Sequence, residues 1–401
     1  MRLSPLKSKD MVVEITTQNL KSHMTDIGDG FEMNRKRASI YRIPEHIKKV
    51  NPNAFKPQVV SFGPYHHREP HLLPMEKIKH LFLYDFESNC KLSIEDMVNE
   101  VWDMLEDLQR SYDKLEDEWK TKPAKFLELM ILDGCFLIQL LLGNSPLFIL
   151  PLKDGRRDML LLENQLPMKL LDKLCFMLKL DNIENIKSLV WRSSNLPTEV
   201  KEKLMANDYL HLLDMYRTEL EFHTGNELYL LQCSHLGMSH EIQLARRFDK
   251  AGIKLKKGCN IRDVDFDENK GVLSLPFIEM NANIESGLLN VMTFEKLVGI
   301  DNIVGSFVIL MGNLLEKDEV DSFNQLAKGT VLSMWDKYAY VYYSVNKHCK
   351  RPWRIWWTTL KNVSFQSPWI IISALSAIIG FVLLIIQTIY GVYGYYLPRR
   401  S

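Results

Sequence analysis

Two carboxylates stand where apolar residues dominate. Asp133 interrupts the run Phe126–Leu142, and Glu163 sits beside Asn164 and Gln165 within Leu160–Pro167. Brought together in a dry pocket, two like charges raise one pKa, and the pair can then give and take a proton. Held apart, the same residues do something plainer. A buried carboxylate must find donors, so each would bond neighbouring backbone at a helix break and tie the core together. The plainer account is the expectation and the acid–base site the alternative. Geometry decides between them: carboxylates within about 6 Å in an open pocket, or separate hydrogen-bond partners.

The other reactive side chains are histidines and cysteines. His66 and His67 are adjacent, so in a strand they would face opposite ways, with His71 and His80 close in sequence. Cys233, His235 and His240 match no usual zinc spacing. The six cysteines, at 90, 135, 175, 233, 259 and 349, form no Cys-x-x-Cys pair. That usage suits a reduced compartment rather than a disulfide scaffold. A thiol dyad of His66 or His67 with Cys90 or Cys135 would need the fold to bring them together. Phosphate-loop, dinucleotide, Gly-x-Ser-x-Gly and His-Glu-x-x-His motifs are absent. No catalytic residue, metal or cofactor is assigned, and the chain is expected not to be an enzyme. With 50 Lys+Arg against 50 Asp+Glu, a basic nucleic-acid binder and an acidic disordered chain are both excluded as starting points.

The elements that must hold these residues are mostly helices. Residues 1–38 lack periodicity and read as a flexible N-terminal arm; Arg35-Lys36-Arg37 is a solvated cluster there. Val59-Val60-Ser61-Phe62 reads as a short buried strand ended by Gly63-Pro64. Ser93-Ile94-Glu95-Asp96 is a capping box, opening one amphipathic helix whose apolar stripe runs from Ile94 through Tyr112 to Trp119. Pro123 opens a central buried helix ending before Gly143, and a shorter helical stretch surrounds Leu160–Pro167. Met168–Leu180 and Thr198–Leu220 continue in helical rhythm. After Gly252 the period becomes two, so a small antiparallel sheet is expected near 253–278, with Asn269-Lys270-Gly271 as a hairpin turn. Helices resume near Glu285, with Gly299, Gly312 and Gly329 as breaks. The fold class is mainly α with a small antiparallel sheet (α+β). A helical domain spans 39–366, followed by a transmembrane helix at 367–391 and a tail at 392–401.

That last helix lies in a run of 37 residues, 362–398, with no Asp, Glu, Lys or Arg. Trp369 to Tyr390 is 22 residues, about 33 Å as a helix, enough to cross a hydrocarbon core. Trp369 and Tyr390 suit the two interfaces. The expected partner is therefore a lipid bilayer through 369–390, entered as a single-pass tail anchor. Lys347, Lys350, Arg351, Arg354 and Lys361 precede the span and only Arg399 and Arg400 follow it. That asymmetry puts the large domain in the cytosol; the opposite orientation is the alternative.

In order along the chain stand IYRIPEHIKKVNPNAFKPQVVSFGPYHHREPHLLPMEKIK (40–79), LMILDGCFLIQLL (129–141), DMLLLENQLPMKLLDKL (158–174), AGIKLKKG (251–258), TFEKL (293–297) and the closing segment 346–396. Together these resemble the plant family called domain of unknown function 247. The motif residues carried over, with no assigned role, are Gly63, Pro64, Tyr65, His66, His67, Met75, Glu76, Asp133, Gly134, Cys135, Glu163, Asn164, Gln165 and Pro167. The resemblance implies a largely helical plant protein with one C-terminal span and no established activity or cofactor. Some family members are candidate self-incompatibility determinants in grasses, which implies recognition of another protein. This chain departs from the pattern at Met168-Lys169, at Leu288-Leu289-Asn290, and at Arg68, where Gly is common. The expected function is a membrane-anchored recognition or signalling module. An enzyme near Asp133 and Glu163, or a membrane-active helical protein, are the alternatives.

Overall fold

The computed structural model describes residues 38–49, 51–142, 155, 157–178, 185–192, 202, 204–222, 248, 251–258, 260–276, 282–314, 337–350 and 368–396. The arm at 1–37, the Cys233/His235/His240 group, Gly329 and the last five residues lie outside them. Contacts divide the chain into two compact units. The first comprises Met1–Leu236, Cys259–Asp263 and Pro276–Ser333; the second comprises Gly237–Gly258, Val264–Leu275 and Met334–Ser401.

The first unit opens with α1 (Glu45–Lys48) and a 3-10 turn at Pro52–Phe55, then α2 (Leu73–Ser88), α3 (Ile94–Trp102), α4 (Leu105–Arg110), α5 (Asp117–Thr121) and α6 (Pro123–Leu142). It continues with α7 (Met168–Met177), α8 (Ile186–Arg192), α9 (Leu212–Phe222), α10 (Ala282–Val298) and α11 (Ile303–Leu314). Helix α6 is the axis. Apolar side chains cover nearly all its faces, so every face must find a neighbour. The neighbours are α2, α3, α5, α7 and α8. Gly134 lets α7 approach, since a Cβ there would fall 2.4 Å from Leu174 Cδ1. Pro167 occupies the N-cap of α7, a position where its missing N–H costs no helical hydrogen bond. On the other side α10 packs on the 3-10 turn, α9 and α11. Gly299 ends α10 with φ 74°, a left-handed cap, whereas Gly312 lies inside α11 and breaks nothing.

Four expected elements differ, one of them Thr198–Leu220, whose residues 207–211 are not helical between helical 204–206 and α9. The capping box forms, with Asp96 N–H donating to Ser93 Oγ at 3.2 Å, but the helix from Ile94 to Trp119 is three pieces. The chain leaves helical geometry at Lys114 (φ 52°), where Asp113 N–H donates to Ile40 O at 2.8 Å. Pairing with the incoming N-terminal segment replaces the missing helical bonds. The stretch Leu160–Pro167 is buried turns rather than helix. Residues 59–62, buried from Val60 on, are not a strand, because side chains take the place of a neighbouring strand.

In the second unit β1 (Lys254–Gly258), β2 (Asp265–Asp267) and β3 (Val272–Pro276) form a three-stranded mixed sheet in the order β1-β3-β2. Strands β2 and β3 pair antiparallel through the expected hairpin. Asp267 Oδ1 accepts from Asn269 and Lys270 N–H, both at 3.0 Å, and Gly271 supplies φ 62°. Helix α12 (Lys337–Cys349) packs on β2, with the His348 ring edge-on to Phe266 at 5.1 Å. Helix α13 (Pro368–Tyr396) is one uninterrupted helix opened by Pro368, and it runs past Gly391 and Gly394 to Tyr396. Its stretch Leu375–Tyr393 has a mean hydropathy of 2.2 and no residue buried against protein, so it is long and apolar enough to cross a membrane.

Candidate functional site

The irregular segment 56–63 passes from the surface into the core at Val60, and its backbone groups must be satisfied as they are buried. Asp158 does most of this. Its Oδ2 accepts from the N–H groups of Gln58, Val59 and Val60 at 2.9, 2.6 and 3.1 Å. Arg157 neutralises that carboxylate at 3.0 Å and donates to the carbonyls of Lys56 and Asn53. Asn164 then acts as a bridge. Its Oδ1 accepts from Phe62 N–H at 2.7 Å, and its Nδ2 donates to Val60 O and Asp158 O. Gln165 ties its own loop to α9: Nε2 donates to Met159 O and Leu161 O, and Oε1 accepts from Leu213 N–H. Asn290 of α10 joins Leu162 N–H to Ala54 O.

The segment turns at Gly63, whose N–H donates to Asp133 Oδ2 at 2.8 Å. Glycine is required there on two counts. Its φ is 72°, and a Cβ would meet Tyr112 Oη at 2.8 Å and Gln165 O at 3.0 Å. Asp133 Oδ1 is bonded at 2.6 Å by Lys79, which also donates to Ser61 O and Glu76 Oε1, each at 2.6 Å. The side chains of Lys79 and Asp133 are both wholly buried. Burial pushes the Asp133 carboxyl up to about 6, against the opposing pull of Lys79.

Lys79 is the central residue that motif reasoning did not single out. The signal was there: on α2 it shares a stripe with Met75, Phe82 and Phe86, all buried. A lysine at four- and three-residue spacing on an apolar face must have an internal anion to meet.

Glu163 has its own partners. Ile43 N–H donates to Oε1 at 2.7 Å, Lys48 Nζ lies 2.8 Å from Oε2 at ion-pair distance, and His66 Nε2 lies 3.6 Å from Oε2. His66 turns its other nitrogen to Glu69 at 2.6 Å. His67 faces Glu76 at 3.9 Å and stacks edge-on against Trp119; burial lowers its pKa. Adjacent histidines thus serve different carboxylates. His71 contacts Pro57 O at 3.0 Å and His80 is exposed. Among the described residues no group of three His, Cys, Asp or Glu is arranged to hold a metal ion.

Cys90 donates to Met177 O at 3.3 Å, while Cys135 and Cys175 are buried and burial pushes both thiols up, away from the thiolate. Tyr65 lies beneath the Arg42 guanidinium at 3.9 Å and donates to Ile40 O and Asp113 O. Pro64 and Met75 are buried beside this loop.

Asp133 and Glu163 therefore have separate partners, and neither side chain is exposed. The arrangement can bind backbone, neutralise charge and fix a turn, with each carboxylate wholly buried against its own partners. Arg68, following the histidine pair, takes φ 69°, which accounts physically for glycine suiting that position.

A family model described as a plant protein of unknown function, DUF247, matches residues 40–320 and 316–383. A UPF0481 protein of Arabidopsis thaliana is 26% identical over 423 residues, covering 90% of this chain and 88% of its own. No solved structure matches.

Proposed function

The chain belongs to that plant family of unknown function, and on this premise we propose that it is a non-enzymatic, single-pass, tail-anchored membrane protein whose helical unit recognises another protein. Helix α13 carries the reading. It is 29 residues long without an acidic or basic residue, and its large side chains are exposed, Phe381 at 68% and Leu384 at 64%. In water such a surface is an aggregation hazard. In a bilayer it is the expected state, with all backbone bonds made within the helix. The five cations before the span and two after it set the large unit on the cytosolic side.

The recognition role rests on where the motif residues spend their polar atoms. Asp133, Asp158, Glu163, Asn164 and Gln165 hold the chain's own backbone. They make a rigid scaffold whose outer surface is left to meet a partner. A fluorescent fusion ending at residue 366 is expected to be soluble while the full-length fusion stays with membranes; a truncated fusion still on membranes overturns the anchor. Proximity labelling in native cells tests recognition. The labelled neighbours persist when α13 is exchanged for an unrelated span. Neighbours that follow the span instead of the helical unit overturn it.

A further inference from the structure

Helix α12 has two unlike faces. Val341, Val345 and His348 are buried, His348 against Phe266 of the sheet. The opposite face exposes Tyr340, Tyr343, Lys347 and, one residue past the helix, Lys350. These recur at three- and four-residue spacing, so they form one line. Tyr340 and Tyr343 are 63% and 64% exposed, unusual for two tyrosines on a helix already anchored by its other side. No acidic residue occurs in 337–350. The imbalance extends to the unit: among its described residues it carries seven lysines against Asp265, Asp267 and Glu268, although the whole chain is neutral. The apolar helix α13 belongs to the same unit, 17 residues (351–367) further on. That tether spans at most about 60 Å, so α12 stays near any bilayer that α13 enters.

We infer that the Tyr340–Tyr343–Lys347–Lys350 face of α12 is a docking surface for the anionic phospholipid headgroups of the bilayer that α13 spans. Lysines near a negatively charged leaflet gain from its surface potential, and tyrosine rings settle at headgroup level with the hydroxyl wet. An acidic protein would suit the lysines alone; the paired tyrosines and the continuity with α13 favour lipid. The inference rests on the membrane reading of α13 and adds the lipid chemistry.

The test uses the full-length protein in nanodiscs of phosphatidylcholine alone or with about one third phosphatidylserine. Hydroxyl-radical footprinting reads the tyrosines directly, with Tyr84 of the first unit, 73% exposed, as internal reference. Modification of Tyr340 and Tyr343 should fall about threefold or more in the phosphatidylserine discs relative to Tyr84. Protection should recover in about 0.5 M salt, where screening is short-ranged, and should be absent in Lys347→Glu/Lys350→Glu. Equal labelling in both discs overturns the inference while leaving the anchor standing. Protection that ignores lipid charge and salt means a protein or a second copy covers the face, and overturns it too. A chain that fails to enter discs overturns the anchor and the inference together.

Discussion

Removing Lys79 examines the buried scaffold at its most sensitive point. In Lys79→Met the apolar stem is kept and the ammonium lost. Asp133 then keeps only the Gly63 N–H, Ser61 O loses its donor, and Glu76 retains the Ser61 hydroxyl. Breaking a fully buried ion pair by deleting one partner costs about 3–5 kcal/mol, because the other charge is stranded. The cost should depend on pH, and its sign follows from Asp133. Its folded pKa, about 6, lies above the ordinary 3.8, so the folded state holds the proton more tightly than the unfolded one. That contribution favours folding at low pH and is lost as pH rises through about 6. Lys79 draws this pKa down, so the variant's carboxyl moves higher still. The deficit should be largest near pH 8 and shrink below pH 5, where a neutral carboxyl no longer needs the cation. Urea unfolding of the full-length protein in nanodiscs, followed by near-ultraviolet circular dichroism at both pH values, measures this. Lys79→Met/Asp133→Asn should recover about half of the loss at pH 8. A single-variant deficit under about 1 kcal/mol, or a double variant no better than the single, would refute the reasoning.

Two further outcomes follow from the same segment. Asp158→Asn weakens three backbone bonds at once, and amide exchange at Gln58, Val59 and Val60 should accelerate by about tenfold or more while α6 is unchanged; uniform acceleration would point to global destabilisation instead. Gly63→Ala should cost about 2–4 kcal/mol in urea unfolding, whereas Arg68→Gly, at a comparable positive φ but exposed, should stay within about 1 kcal/mol and lean towards stabilisation; equal effects would remove the steric argument at Gly63.

What the sequence revealed depended on how local the cause was. The α6 helix was legible because apolar residues on every face between two proline-and-glycine borders have few other solutions. The Ser93 cap and the Asn269–Gly271 hairpin were legible because their bonds close within a few residues. The 59–62 segment was misread for the opposite reason. Its short β-branched and apolar run ended by Gly63-Pro64 looked like a buried strand, but its hydrogen-bond partners are Asp158 and Asn164, about a hundred positions on. The helix from Ile94 to Trp119 had a faultless stripe, yet pairing of Ile40 with residues 111–113 interrupts it. For the carboxylates the plainer expectation is met in part: each bonds backbone separately, but Asp133 does so from the middle of α6 to Gly63, seventy positions away, and not at a helix break. Lys79 went unremarked since a single lysine among charged neighbours reads as solvent-facing until its stripe is drawn.

The long reach of these bonds also sets an order of events during synthesis. Val60 and Phe62 cannot be capped until residues 158–164 exist, and the carbonyl of Ala54 waits for Ser286 and Asn290, more than two hundred positions later. Loop closure over such separations is slow, so the nascent N-terminal third must leave the ribosome with apolar side chains and bare amides exposed. This chain should therefore lean on chaperones while residues 158–164 and 286–290 are still to be made.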